Sequence, residues 1–365
     1  MGIQKLASLI KKEAPESISA VPPRDYRDRV LAIDASVAIY QFNAAIPTII
    51  NRDGEDLSAL QGMFYRTVYM LENGIKPVFV LEGPPPALKH RKGNSDGKST
   101  PGHGRRDDLE KMLRYLGVPY IQATGEAEAT CAALVKHCLA WGTVTEDMDA
   151  LPFGSTRLIR NLKANNLGNV EEYNLPKLLK LLKLSPEQFV ELCILLGCDY
   201  SGKIKGLGIK KALELMQKHG SIERILKTIK KDRIPADFRY QEAKQLFLQP
   251  SVVDVSRVQL NWRAPDEENL VQFLSHEKHL NETKIRTKLA KLRAIQQPKE
   301  KKTPKKRSAQ SSLSDPNNQK QPKMTDFFMA KKKSQKQPQG NIQNTDPSGN
   351  IPSTSMGTGC GQSTR

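Results

Sequence analysis

Short apolar runs that each stop at an acidic residue constrain the fold of this chain most. Residues 29–33 form one such run, which Asp34 follows, and residues 77–81 form another, which Glu82 follows. A helical pattern over residues 57–73 separates the two runs. Strand, helix and strand in this order build a parallel sheet, in which the carboxyl ends of the strands share one edge. The sequence therefore predicts an α/β protein with Asp34 and Glu82 at that edge.

The same alternation continues through the middle of the chain. Helical patterns cover residues 109–116 and 126–139, and strand-like pieces cover residues 119–122 and 143–145. The preceding segment, residues 90–108, carries glycines, a proline and basic residues without an apolar period, which predicts a mobile basic loop. The second half of the chain is mostly helical in pattern. We therefore expect a mostly parallel sheet with helices around it.

Acidic residues recur at comparable places further along the chain. One close pair stands at a helix start, a second pair follows a strand, and a single aspartate comes later. With the two strand-end acids they make the following set of carboxylates: Asp34, Glu82, Glu126, Glu128, Asp147, Asp149 and Asp199. If they share one edge, their repulsion requires divalent cations, and oxygen ligands without His or Cys favour Mg²⁺ or Mn²⁺ over zinc. Two such ions can support phosphodiester hydrolysis.

A structural role is the alternative for each carboxylate taken singly. An acid after a strand or in the first turn of a helix is usually a cap or a partner of the helix dipole. A basic nucleic-acid binder whose acids are all structural is therefore a second hypothesis. Binding of divalent metal ions discriminates between the two.

The charge of the chain indicates a polyanionic partner. Lys and Arg number 57 against 39 Asp and Glu, which gives a formal net charge of +18 at pH 7. Such an excess favours nucleic acid. No apolar run approaches the roughly 20 residues of a membrane-spanning helix, so we expect no membrane association. The five cysteines show no C-x-x-C spacing, which argues against a zinc site and a disulfide framework.

The last part of the chain has a different composition. Residues 296–365 are rich in Lys, Gln, Ser, Pro and Asn and cannot supply a core, so we expect a disordered basic tail. Within it, residues 321–328 place apolar side chains where no core receives them, at the spacing of one short helical turn. The residues of this motif are Gln321, Met324, Phe327 and Phe328. The motif resembles the peptide that binds the sliding clamp (PCNA).

Longer blocks of sequence carry a family resemblance. The strings AIDASVAIYQF, GEAEATCAALVK, VTEDMDALPFGS and LCILLGCDYSGKIKGLGIKKAL resemble the flap endonucleases, structure-specific 5′ nucleases of the PIN-like fold. The match runs from residue 1 to about residue 292. The resemblance implies a PIN-like, mostly parallel sheet with helices on both faces and a helix-hairpin-helix region. It also implies two Mg²⁺ ions, which Mn²⁺ can replace, and cleavage of DNA in replication and repair.

The resemblance assigns site residues position by position. Six of the seven acids match the metal ligands of the family, whereas Glu82 stands where the family has Asp. The implied catalytic residues are Lys89, Asp34, Glu126 and Asp147. The implied DNA-binding residues are Tyr40, Arg66, Glu126, Gly197, Asp199, Gly206 and Gly208, with a monovalent cation assisting the hairpin turn. Another DNA-contacting Arg of the family falls at Pro47, so that contact is missing.

The implied organisation has five parts. They are an N-terminal nuclease region at 1–88, a shortened arch loop at 89–108, an internal nuclease region at 109–250 with the helix-hairpin-helix at 197–216, a C-terminal helical layer at 251–295 and the tail. The expected partners are branched double-stranded DNA with a 5′ flap and the clamp, bound by a monomeric protein in the nucleus, with the nucleolus and mitochondrion as further locations.

Two departures from the family keep a second function open. Glu82 adds a methylene to a metal ligand, and the arch is short and rich in Gly and Pro. The expected activity is that of a 5′ flap endonuclease and 5′-3′ exonuclease, slower than a typical family member. The alternative is a clamp-associated protein that binds branched DNA with weak or lost catalysis.

Overall fold

The computed structural model describes residues 2–45, 47–89, 103–162 and 170–296. Seven strands lie in this part of the chain: β1 (Ile18–Val21), β2 (Val30–Asp34), β3 (Lys76–Leu81), β4 (Tyr120–Gln122), β5 (Gly142–Val144), β6 (Arg157–Arg160) and β7 (Val170–Asn174). They form one sheet in the order β1-β7-β6-β5-β2-β3-β4. The five strands from β2 to β6 run parallel, and β7 and β1 are added antiparallel at one end.

Twelve α-helices lie in the described part. They are α1 (Leu6–Glu13), α2 (Ala35–Ala45), α3 (Ser58–Glu72), α4 (His103–Tyr115), α5 (Ala127–Lys136), α6 (Leu175–Leu182), α7 (Pro186–Leu196), α8 (Ile209–His219), α9 (Ile222–Leu226), α10 (Tyr240–Leu248), α11 (Glu267–Val271) and α12 (Glu282–Gln296). None of the helices in the described ranges is long and apolar enough to cross a membrane.

Helices cover both faces of the sheet because its central strands are apolar on both sides. Along β2, Leu31 and Ile33 pack into one core cluster with α3, α4 and α12. Ala32 between them points to the opposite face and packs against α5 through residues such as Cys131. A period of two with apolar residues on both faces is typical of a buried parallel strand. The predicted fold class is therefore confirmed.

Several predicted boundaries were wrong. Helix α4 begins at His103, so the end of the segment predicted as a loop is helical. Gln296, assigned to the tail, is the last residue of α12. Strands β1, β6 and β7 were not predicted. Strands β1 and β7 form a sheet end with few buried apolar residues and no alternating burial, which gives a weak sequence signal.

Two other predictions concern the chain's cysteines and its tail. The four cysteines of the described residues, Cys131, Cys138, Cys193 and Cys198, are free thiols, as expected. The clamp-binding motif at 321–328 and most of the predicted arch lie outside the described residues.

Candidate active site and DNA-binding surface

The sheet topology brings the strand-end acids together. Asp34 ends β2 and pairs in register with Val80 of β3, so Glu82 follows only two residues beyond that level. Strand β5 lies on the other side of β2 and leads to Asp147. Because β5, β2 and β3 are neighbours and parallel, all three carboxylates emerge at the same edge.

Three glutamates form the tightest group of acids in the described residues. Glu82 after β3, Glu126 at the start of α5 and Glu128 in its first turn each place a carboxylate oxygen within 4.8 Å of the others. Oε1 of Glu126 and Oε2 of Glu128 are buried and accept no hydrogen bond. A buried carboxylate oxygen without a donor is unfavourable, so these atoms fit a hard divalent cation.

A chain of hydrogen bonds links the aspartates of the site. The Thr145 hydroxyl donates to Asp34 Oδ2 at 2.9 Å and accepts from the Asp147 amide at 3.1 Å. The Asp149 amide donates to Asp147 Oδ1 at 3.0 Å, and Asp149 Oδ1 accepts from the Ile3 amide at 2.7 Å. These bonds leave each carboxylate in one orientation. The aspartates are therefore fixed before any ligand binds.

Burial and mutual repulsion perturb the acids strongly. Burial, with a smaller contribution from the charge of Asp147, raises the pKa of Asp34 to about 6 despite hydrogen bonds that lower it. Burial, followed by the charges of Glu126 and Asp34, raises the pKa of Glu82 to about 8. The pKa values of Glu128 and Asp149 are raised well above normal, chiefly by burial. Such a group of buried acids is stable in ionised form only with bound cations, which supports the prediction of a metal site.

Asp199 lies at the side of this group. It follows the C-terminal end of α7, is half-buried, and its charge contributes to the raised pKa of Asp149. The structure thus brings all seven predicted carboxylates into one region. Their roles as ligands stay a prediction.

The N-terminal segment is a part of the site that sequence reasoning missed. Gly2 has a φ of +72°, and a Cβ there would stand 1.8 Å from Asp147 Oδ1 and 2.1 Å from Asp149 Oδ1. The Ile3 amide holds Asp149, as described above. No sequence motif predicts these contacts. The Ile3 contact is made by a backbone amide, and the approach at Gly2 is possible because glycine has no side chain.

Lys89 lies within reach of the acids. Its Nζ forms an ion pair with Glu126 Oε2 at 2.5 Å, and the lysine side chain remains 33% exposed. Burial lowers the pKa of Lys89, but the bond to Glu126 and the charges of the three glutamates outweigh it and raise that pKa. The ammonium therefore stays protonated at the edge of the site.

Tyr40 and Arg66 have opposite environments. Tyr40 of α2 is 61% exposed, which is unusual for a tyrosine and matches its expected role as a surface on which a base stacks. Arg66 of α3 is only 5% exposed, burial lowers its pKa, and the charges of Glu146 and Asp34 act on it. A guanidinium buried in this way cannot reach a duplex on the surface, so the expected DNA contact of Arg66 requires the side chain to move outward.

The predicted hairpin joins α7 and α8. Helix α7 begins with a capping box formed by Ser185 and Gln188, and its C-cap is Gly197, whose φ is +109°. Gly206 has a φ of +68°, and Gly208 caps α8 without a side-chain hydrogen bond. The first amides of α8 are thus not capped by a side chain, which is how such turns receive a phosphate.

Comparison with known proteins agrees with this geometry. A model of the XPG N-terminal domain matches residues 1–97, and a model of the XPG I-region matches residues 117–199. Flap endonuclease 1 of Xiphophorus maculatus is 45% identical over 330 residues, covering 80% of this chain and 86% of the relative. Flap endonuclease 1 of Homo sapiens is 41% identical over 328 residues, with the same coverage of both chains.

The chain belongs to the flap endonuclease family. It is a structure-specific nuclease, and use of divalent metal ions is general for this family. The alignment with the fish protein is 330 positions long, but it contains only 80% of the 365 residues of this chain. Several dozen aligned residues of the fish flap endonuclease therefore have no counterpart in this chain.

Solved structures of flap endonucleases and their relatives share the fold. The catalytic core of Rad2 in complex with DNA substrate has a TM-score of 0.68 at 27% identity and covers 80% of this chain and 100% of that core. Flap endonuclease-1 from Methanococcus jannaschii has a TM-score of 0.63 at 29% identity and covers 76% of this chain and 96% of its own. Both solved structures therefore share the fold of this flap endonuclease, and the Rad2 core holds a DNA substrate.

Proposed function

We propose that this flap endonuclease hydrolyses a phosphodiester bond near the base of a 5′ flap in branched DNA, with 5′-3′ exonuclease action, in replication and repair. The observation that carries the proposal is the buried carboxylate group at the end of β5, β2 and β3, with two oxygens that lack a donor. Membership of the family supplies the substrate class.

Two Mg²⁺ ions are the proposed cofactor, and Mn²⁺ is the expected replacement. The ligands would be Asp34, Glu82, Glu126, Glu128, Asp147, Asp149 and Asp199, directly or through water. All are oxygen donors, which suits hard cations. When bound, the ions activate water and stabilise the charge that develops on the scissile phosphate.

Lys89 would orient and polarise that phosphate. Its ammonium pairs with Glu126 and is partly exposed, so a phosphate entering the site can become its second partner. Because its pKa is raised, the side chain carries a full positive charge throughout the neutral range. The residue is therefore suited to electrostatic stabilisation and unsuited to act as a general base.

The duplex would lie on the hairpin. The base next to the scissile bond would stack on Tyr40. Gly206 and Gly208 let the DNA backbone approach the start of α8, and Gly197 and Asp199 begin the same hairpin. A monovalent cation at the turn would complete the phosphate contact.

Further partners and location remain part of the proposal. We propose that residues 321–328 bind the sliding clamp PCNA, and that the protein acts as a monomer. A nuclear location, with the nucleolus and mitochondrion in addition, is supported by the DNA-processing role and by the basic run KEKKTPKKR at 299–307.

Single-turnover cleavage of a labelled 5′-flap substrate in Mg²⁺ tests the proposal, with Asp147→Ala protein as the control for contaminating nuclease. Metal-dependent cleavage by the wild-type chain that is lost in the variant is the expected result. Tight flap binding without cleavage would refute it and favour the DNA-binding alternative. The presence of an acid at all seven positions argues for catalysis.

Glu82 offers a finer test of the same site. Its carboxylate already reaches the other two glutamates, and Oε2 also accepts a 3.4 Å hydrogen bond from the Ala127 amide. A displacement of about 1 Å from the best position can cost roughly 100-fold in rate. Glu82→Asp should therefore raise the single-turnover rate, and an unchanged rate would show that Glu82 holds the ion as well as Asp does.

A further inference from the structure

The segment that follows α9 packs along the hairpin. The Gly202 amide donates to the Asp237 carbonyl at 3.1 Å, and the Lys205 amide donates to the Arg233 carbonyl at 3.0 Å. Asp237 also fills the space beside Gly202, where a Cβ would stand 2.3 Å from its Oδ1. Residues 233–237 are therefore held against the hairpin at both ends and move with it.

The Arg233 side chain lies directly on the glycine turn. Its Nε donates to the Lys205 carbonyl at 2.9 Å. Its Nη2 is 2.8 Å from the position that a Cβ on Gly206 would occupy. The guanidinium thus takes the place that a side chain at Gly206 would need, and its plane is fixed by one hydrogen bond to the turn.

Most of this guanidinium remains available to a ligand. Among the described residues, no carboxylate lies within 4.0 Å of it, and its hydrogen bond through Nε engages only one of five N–H groups. Two hairpin lysines are more engaged: Lys203 donates to Gln4 at 2.8 Å, and Lys211 is 3.7 Å from Glu214. Arg233 is therefore a preoriented cation beside the start of α8.

We propose that Arg233 contacts a backbone phosphate of the duplex bound at the hairpin, which rests on the proposed function of that hairpin. A guanidinium with both terminal nitrogens free presents two parallel donors to phosphate oxygens. Fixing its orientation beforehand reduces the entropy lost on binding. Arg233 then acts together with the amides of α8, from the opposite side of the Gly206 turn.

The test is duplex binding by the full chain as a function of salt, measured by fluorescence anisotropy with flap DNA in EDTA so that no cleavage occurs. Loss of one phosphate contact should lower the slope of log affinity against log salt by about 1. We expect Arg233→Ala to show that change with an affinity about tenfold weaker near 0.1 M salt. Arg233→Lys should recover the slope and only part of the affinity, because lysine keeps the charge without the tether.

Arg24→Ala is the matched control, since it also removes one arginine charge. The Arg24 side chain is highly exposed, and its one ion pair, with Asp25, is long at 3.9 Å. It should leave affinity and slope at wild-type values. Cleavage in Mg²⁺ supplies the second readout: Arg233→Ala should raise KM and leave kcat near wild type.

A weaker affinity with an unchanged salt slope would overturn the proposal, because it would show that the side chain only supports the hairpin. Wild-type values for both quantities would overturn it as well. Failure of the proposed function gives a different result. If the wild-type chain does not cleave flap DNA, but Arg233→Ala still lowers the salt slope of binding, only the nuclease proposal is refuted.

Discussion

Replacing Glu82 by glutamine should stabilise the chain when divalent metal is chelated. The Glu82 carboxyl is packed against Glu126 and Glu128, and its pKa of about 8 compares with a normal value of 4.5. At pH 7 the unfolded chain has this group ionised, whereas the folded chain holds its proton. Glutamine removes the ionisable group and keeps an oxygen for the Ala127 amide.

The magnitude follows from linkage. The interval from the normal pKa of 4.5 to pH 7 is about 2.5 pH units, and each unit destabilises the folded state by roughly 1.4 kcal/mol. The free energy of unfolding should therefore rise by at most about 3 kcal/mol in Glu82→Gln at pH 7. At pH 5 the same reasoning gives less than about 1 kcal/mol. The gain from Glu82→Gln should therefore grow as pH rises from 5 to 7.

Urea unfolding in EDTA at pH 5, 6 and 7 measures this difference. Glu16→Gln is the matched control, because Glu16 is exposed and the same substitution there should change stability little at any of these pH values. Repeating the series in Mg²⁺ should shrink or reverse the gain, since the amide is a poorer ligand. A gain that is the same at pH 5 and pH 7, or equal in the Glu16 variant, would refute the reasoning.

Three further predictions concern the site. Since the raised pKa values of Asp34 and Glu82 mean that protons must leave before a cation binds, Mg²⁺ or Mn²⁺ affinity by calorimetry should rise from pH 6 to pH 8, and a flat profile would contradict this. Gly2→Ala places a Cβ against Asp147 and Asp149 and should lower kcat by about 10- to 100-fold. The control is Gly54→Ala, which also has a positive φ but lies in open space and should leave kcat unchanged. Equal effects of the two substitutions would point to backbone strain alone. Tyr40→Ala should weaken flap binding by about 1–3 kcal/mol of stacking and leave the unfolding midpoint unchanged, with the equally exposed Ile50→Ala as control; a lowered midpoint would indicate a packing role.

Four of the five parallel strands, β2 to β5, were predictable because their signals are local. Runs ending in Asp34 and Glu82 showed both the strands and the side on which their acids lie. Strand β7, with Glu171 and Glu172 at its centre, carries no such signal, because its place is set by antiparallel pairing with β6 and β1. Pairing partners far apart in sequence cannot be read from a local pattern.

The acids of the site were predictable, whereas the groups that hold them were not. Asp147 and Asp149 stand out in sequence, but Thr145, Gly2 and the Ile3 amide gain their roles only from three-dimensional contact. For Arg66, a position in a matched block implied a DNA contact, which stays a prediction, and only the fold shows that α3 buries its guanidinium.

The anchoring of α4 has a consequence for how such enzymes diversify. Its residues Asp108 and Lys111 form ion pairs with Lys278 and Glu277, beyond the last strand, so this helix is secured without help from the segment that precedes it. On the other side, β3 is fixed by β2 and β4. The stretch between Lys89 and α4 can therefore gain or lose residues while Glu82 and Lys89 keep their places in the site. We therefore expect relatives of this chain to differ in length there more than in the strands and helices on either side.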